Sequence, residues 1–83
     1  MYEVRIRKSA IKQLSNLPSK EALWLSKELN KLGNDPRPSG CRQLQGYKNL
    51  YRIRVGNYRA IYTVDEEILI VEVTQIGDRK DIY

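Results

Sequence analysis

The chain has 83 residues and a net charge of +5 from 15 Lys or Arg against 10 Asp or Glu, which makes one domain, 1–83, with a modest core and a preference for anionic partners such as nucleic acid, acidic protein segments or ribosomes. An apolar content of 41% with 30% charged residues excludes a disordered chain and marks a globular one with an ionic surface. One cysteine and no histidine exclude an internal disulfide, a Cys-rich zinc site and a His-activated nucleophile.

The opening "MYEVRIRKSA" has no apolar h-region, so no secretory leader is expected. Tyr2, Val4 and Ile6 alternate with Glu3, Arg5 and Arg7, which predicts a half-buried strand over 2–7. Ser9 can cap a helix of about two turns with Ala10, Ile11, Leu14 and Leu17 on one face, and Pro18 stops it. Ser19 can cap the next, where Ala22, Leu25, Leu29 and Leu32 recur at helical spacing until Gly33, predicting a helix over 19–32. Trp24 neighbours that stripe and is read as a packing residue, not a base-stacking platform. "NDPRPSGCRQLQG" is an irregular connection, with Cys41 a small part-buried loop residue. Strands are predicted at 49–55, 58–64 and 67–75, the last carrying "ILIVEV", a run that suits a strand covered on both faces. The order β-α-α-β-β-β implies an α+β domain with a mainly antiparallel sheet and a two-helix hairpin packed on one face. No run approaches the ~20 apolar residues that span a bilayer, and a cytoplasmic location is expected.

"LYRIRVGNYRAIY" is the most informative stretch. A two-residue Gly56-Asn57 turn pairs Val55 with Tyr58, Arg54 with Arg59, Ile53 with Ala60 and Arg52 with Ile61. Opposed residues share a face, so Tyr51, Ile53, Val55, Tyr58, Ala60 and Tyr62 take one side while Arg52, Arg54 and Arg59 take the other. Like charges opposed in a sheet cost a few tenths of a kcal/mol, roughly, or more. Either the face is solvated with carboxylate partners or an anion sits among the arginines. In "QIGDRKDIY" a last strand antiparallel to its neighbour brings Arg79, Lys80 and Tyr83 toward Arg54 and Arg59, unless these residues form a frayed basic end.

"NDPRPSGCRQLQG", "LYRIRVGNYRAIYTV" and "IGDRKDIY" together resemble the RelE/ParE superfamily of type II toxin–antitoxin toxins, over nearly the whole chain. The resemblance implies a RelE-like fold, and a toxin held inactive by a cognate antitoxin wrapped around it. The free chain would be a monomer and the complex a hetero-oligomer. RelE-branch relatives cut mRNA in the ribosomal A site, whereas ParE-branch relatives inhibit DNA gyrase without nuclease activity. RelE-type sites use residues that match Arg52, Arg54, Arg59, Arg79 and Tyr83, so these are the expected catalytic set, with Lys48 and Lys80 as candidates for RNA contact. Cleavage would proceed without metal or other cofactor by attack of the RNA 2′-hydroxyl on the adjacent phosphate. Arg59 and Arg79 would clamp the phosphate, Arg54 would add charge, Arg52 would lie nearest the 2′-hydroxyl, and Tyr83 would stack on a base or meet that hydroxyl. The family pattern carries lysines where this chain has Arg52 and Arg54, and arginine is no ordinary general base. Asp78 is expected beside the arginines, either orienting Arg79 or weakening RNA binding.

Overall fold

The computed structural model describes residues 1–78. β1 (Glu3–Ile6) leads into α1 (Lys8–Ser15) and α2 (Ser19–Asn30), which closes in a 3₁₀ turn at Lys31–Gly33. After the connection come β2 (Arg42–Gln43), β3 (Leu50–Val55), β4 (Tyr58–Asp65) and β5 (Ile70–Asp78). They form one five-stranded sheet in the order β1-β5-β4-β3-β2. β1 runs parallel to β5, and the other neighbours are antiparallel. The fold class is the expected α+β, with one strand, β2, beyond those predicted.

Both helices cover one face of the sheet. Ala10, Leu25, Leu29 and Leu32 are buried with Tyr51, Val55, Ala60, Tyr62, Val64, Val71, Val73 and Ile76 in a single core. The β3–β4 register is the predicted one, Arg54 opposite Arg59 and Arg52 opposite Ile61. Gly56 has φ +59 whereas Asn57 has no positive φ, which marks a type II′ turn with glycine at its first central position. Trp24 lies against this turn: a Cβ built on Gly56 would fall 2.7 Å from its ring. The indole is thus a packing residue, although 45% exposed.

Three local readings change. The helices start after Arg7 and Pro18 with no side-chain cap; Ser9 already lies inside α1, where its Oγ donates to the Thr74 carbonyl at 3.4 Å. The last strand begins at Ile70, not 67, since Asp65 Oδ1 accepts from the backbone N–H groups of Glu67 and Ile68 at 3.0 and 3.2 Å. That Asx turn holds Ile68 and Leu69 outside the strand, where both are exposed. β5 is covered on one face only: Val71 and Val73 are buried, while Ile70 and Glu72 are part-exposed.

β5 also carries a bulge. Ile61 pairs with Gln75 and Tyr62 with Val73, which leaves Thr74 as the extra residue, its Oγ1 donating to the Ile61 carbonyl at 3.2 Å. One extra residue reverses the facing of all that follow. Val71 and Val73 point to the helices before it, Ile76 after it. Beyond the end of β1, α1 serves the edge of β5 through Ser9 and through Gln13 Oε1, which accepts from the Ile76 N–H at 2.7 Å.

Candidate nucleic-acid interface

The face of the sheet away from the helices holds a cleft of about 330 Å³ lined by Gly40, Arg42, Arg52, Arg54 and Arg59. None of these lining residues is acidic. Two cross-strand pairs build it, Arg42 with Arg52 on β2–β3 and Arg54 with Arg59 on β3–β4. Arg59 is the deepest, with its Nε and Nη1 atoms buried, and the residue opposite it on β5 is Gly77, which places no side chain in its way. Four guanidiniums on adjoining strands make a site for an anion with several oxygens, because each planar fork can donate two parallel hydrogen bonds to a phosphate.

The structure therefore brings Arg52, Arg54 and Arg59 together as read from the sequence, and adds Arg42. A strand of two residues has no periodicity to read, so Arg42 gave no signal beyond its charge. Lys48 lies outside the cleft and lines a neighbouring groove with Tyr47 and Leu50. Arg79, Lys80 and Tyr83 fall outside the described residues. Asp78 pairs with Tyr58 and so shares the helix-side face, not that of Arg59. This corrects the expected placement, and the Thr74 bulge is the cause. Its charge is felt by Tyr58, whose hydroxyl is held above its usual range mainly by its hydrogen bond to Glu21 and by burial, with the Glu21 and Asp78 charges adding to the rise.

The connection that supplies Gly40 is fixed from the other side of the molecule. Arg37 Nε donates to the Tyr51 hydroxyl at 3.0 Å, its guanidinium lies 5.3 Å from the centre of that ring, and it also pairs with Glu66. Glu66 accepts from the Tyr2 hydroxyl as well, and these two donors, Tyr2 first, hold its carboxyl below the usual range. Tyr62, pushed up chiefly by burial, donates to the Pro36 carbonyl at 2.7 Å. Two further arginine ion pairs, Arg5 with Glu3 and Arg7 with Glu72, lie at the β1–β5 side of the sheet. Among the described residues no group of three or more His, Cys, Asp or Glu is placed to hold a metal ion, and no helix is long and apolar enough to cross a membrane.

Comparison with known proteins gives the same fold. The crystal structure of the archaeal RelE–RelB complex from Pyrococcus horikoshii OT3 contains a chain that superposes with a TM-score of 0.84 at 28% identity, covering 96% of this chain and 97% of that one. A chain in the intact RelBE toxin–antitoxin complex of Escherichia coli gives 0.80 at 28% identity, covering 94% and 96%. A protein of Escherichia coli described as a RelE-like toxin is 33% identical over 86 aligned residues, covering 99% of this chain and 90% of its own length. The family model for the ParE toxin of the type II toxin–antitoxin system, parDE, matches residues 4–83. With the arginine-lined sheet and the shared topology, these matches establish that the chain belongs to the RelE/ParE superfamily and is a toxin of a type II toxin–antitoxin system.

Proposed function

We propose that this toxin is a ribosome-dependent mRNA endonuclease, a single catalytic domain neutralised by a cognate antitoxin. The cleft of Arg42, Arg52, Arg54 and Arg59 carries the proposal: it suits a phosphodiester whose charge rises during reaction. The 2′-oxygen of the RNA attacks the adjacent phosphorus, the bond to the 5′-oxygen breaks, and the products are a 2′,3′-cyclic phosphate and a 5′-hydroxyl. The proton leaves the 2′-hydroxyl and one is delivered to the departing 5′-oxygen. Arg59 and Arg79 hold the non-bridging oxygens, Arg54 adds charge, and Arg52 lowers the pKa of the 2′-hydroxyl beside it. Tyr83 meets the base or the 2′-hydroxyl, and Lys80 adds a backbone contact. No step draws on a metal or cofactor. Because arginine is a poor base, much of the acceleration must come from orienting the strand, which the ribosome supplies and which can contribute several kcal/mol.

The partner proposal has separate support. Similar toxin folds are seen in complex with RelB antitoxins in Escherichia coli and Pyrococcus horikoshii, and the net charge of +5 favours an acidic antitoxin segment. A second reading, inhibition of DNA gyrase without nuclease activity, is favoured by the ParE family match. One experiment separates the two. The protein is added to a translating extract and to a gyrase supercoiling reaction, and the messenger is mapped for cuts. We expect cleavage of ribosome-bound messenger, little cleavage of naked RNA and unimpaired supercoiling. Arg59→Ala should slow cleavage by about 10²- to 10³-fold, as loss of a transition-state donor does, and Arg59→Lys should recover only part of it. Lost supercoiling with an intact messenger would overturn the nuclease reading.

A further inference from the structure

A second groove shares the open face with the arginine cleft. It is shallow, about 360 Å³, and lined by Gly46, Tyr47, Lys48, Asn49, Leu50 and Thr63. Leu50 and Thr63 oppose each other on β3 and β4. Leu50 stands two residues before Arg52 on the same face of β3, a separation of roughly 7 Å. The two depressions therefore follow one another along a single strand, the first cationic and the second bordered by an aromatic ring, a leucine and a lysine.

Tyr47 belongs to no core: it is 62% exposed, yet its loop is built to hold it. Gln43 Nε2 donates to the Tyr47 and Lys48 carbonyls at 3.2 and 2.6 Å. The Tyr47 N–H donates to the Leu44 carbonyl at 3.3 Å, and the Leu44 N–H to the Leu50 carbonyl at 2.8 Å. Gly46 supplies the φ of +84 that closes the turn. A presented aromatic on a tied loop loses little freedom on meeting a ligand. Single-stranded nucleic acid offers the matching ligand, since each phosphate comes with a flat base that stacks on an aromatic side chain whatever its sequence.

We propose that this groove is a nucleobase subsite: the strand whose phosphate sits among Arg42, Arg52, Arg54 and Arg59 lays the base of an adjoining nucleotide against Tyr47, with Lys48 on the neighbouring phosphate. This rests on the reading of the toxin as an RNA-cleaving protein. Tyr47 acts here as a binding residue and takes no part in proton transfer.

The test uses a 2′-O-methylated trinucleotide, which lacks the attacking hydroxyl and cannot be cut, carrying a fluorescent 2-aminopurine base. Tyr47→Ala should weaken its binding by about 5- to 150-fold, the scale of losing one stacked base, with the melting transition unchanged because the side chain is exposed. Tyr47→Phe should keep wild-type affinity. A trinucleotide lacking the base that Tyr47 contacts should bind wild type and Tyr47→Ala alike. Equal binding of the intact trinucleotide by wild type and Tyr47→Ala overturns the subsite, and so does a wild type that binds no trinucleotide. If Tyr47→Ala instead weakens only the complex with the antitoxin, the groove is a protein contact and the proposal falls. Failure of the underlying reading looks different: wild type then leaves ribosome-bound messenger uncut.

Discussion

Gly77 and Asp78 are neighbours in sequence and lie on opposite faces of the sheet, Gly77 opposite Arg59 and Asp78 opposite Tyr58. The glycine sets no side chain of its own beside Arg59. The aspartate sends its charge toward a tyrosine on the helix side. Asp78→Asn should therefore change single-turnover cleavage by no more than about twofold, the scale of a weak, screened charge interaction. The same substitution should lower the pKa of Tyr58, because one of the negative charges that disfavour its phenolate is removed. Titration of the tyrosine absorbance in wild type and variant checks this, and a large gain in cleavage would return Asp78 to the cleft.

At the level of elements, Gly33 shows how closely β1 is seated. Its carbonyl accepts from the Tyr2 N–H at 2.7 Å, and a Cβ there would lie 2.8 Å from the Tyr2 carbonyl oxygen and 3.2 Å from Val4 Cγ2. Gly33→Ala should push β1 off its neighbour at a cost of about 1–3 kcal/mol, and each kcal/mol lowers the melting temperature by roughly 4–8 °C in a domain of this size. A thermal unfolding curve measures it. The β3–β4 hairpin was legible in the sequence because its two signals, strict alternation and a Gly-Asn turn, are both local. Its register carried the facing of Arg52, Arg54 and Arg59 with it. The position of Asp78 was not legible, since the bulge at Thr74 depends on what α1 and β4 offer to β5: Ser9, Gln13 and the Ile61 carbonyl. Arg42 was hidden for a related reason. Its strand is two residues long and exists only by pairing with β3, so half of one cross-strand pair in the cleft is a tertiary fact.

For the molecule as a whole, one polar cluster joins parts far apart in sequence. Tyr2 before β1, Arg37 in the connection, Tyr51 on β3 and Glu66 after β4 are linked by hydrogen bonds and an ion pair. Glu66 has its carboxyl pKa lowered in the fold, by the Tyr2 hydroxyl first and then Arg37. A group depressed on folding adds stability above its unfolded pKa, 4.5 here, and loses it as pH falls through the lower folded value. Glu66→Gln should thus unfold more easily than wild type at neutral pH, and the difference should shrink to nothing in strong acid. Denaturant titrations across that range would show it; a gap that persists in acid would mean the carboxylate's charge is not what matters.

The parallel pairing of β1 with β5 has a consequence in time. A chain is synthesised from its first residue onward, and here the strand that must lie between β1 and β4 is the last described element to be made. Until Ile70–Asp78 has emerged, β1 has no strand to pair with and Val64 and Tyr62 lack their partners Val71 and Val73. A nascent chain stalled after residue 69 should be digested by protease as readily as an unfolded one, while the released chain resists. The sheet therefore closes only once β5 is free to pair, and a chain still lacking it cannot hold the fold that carries the arginine cleft.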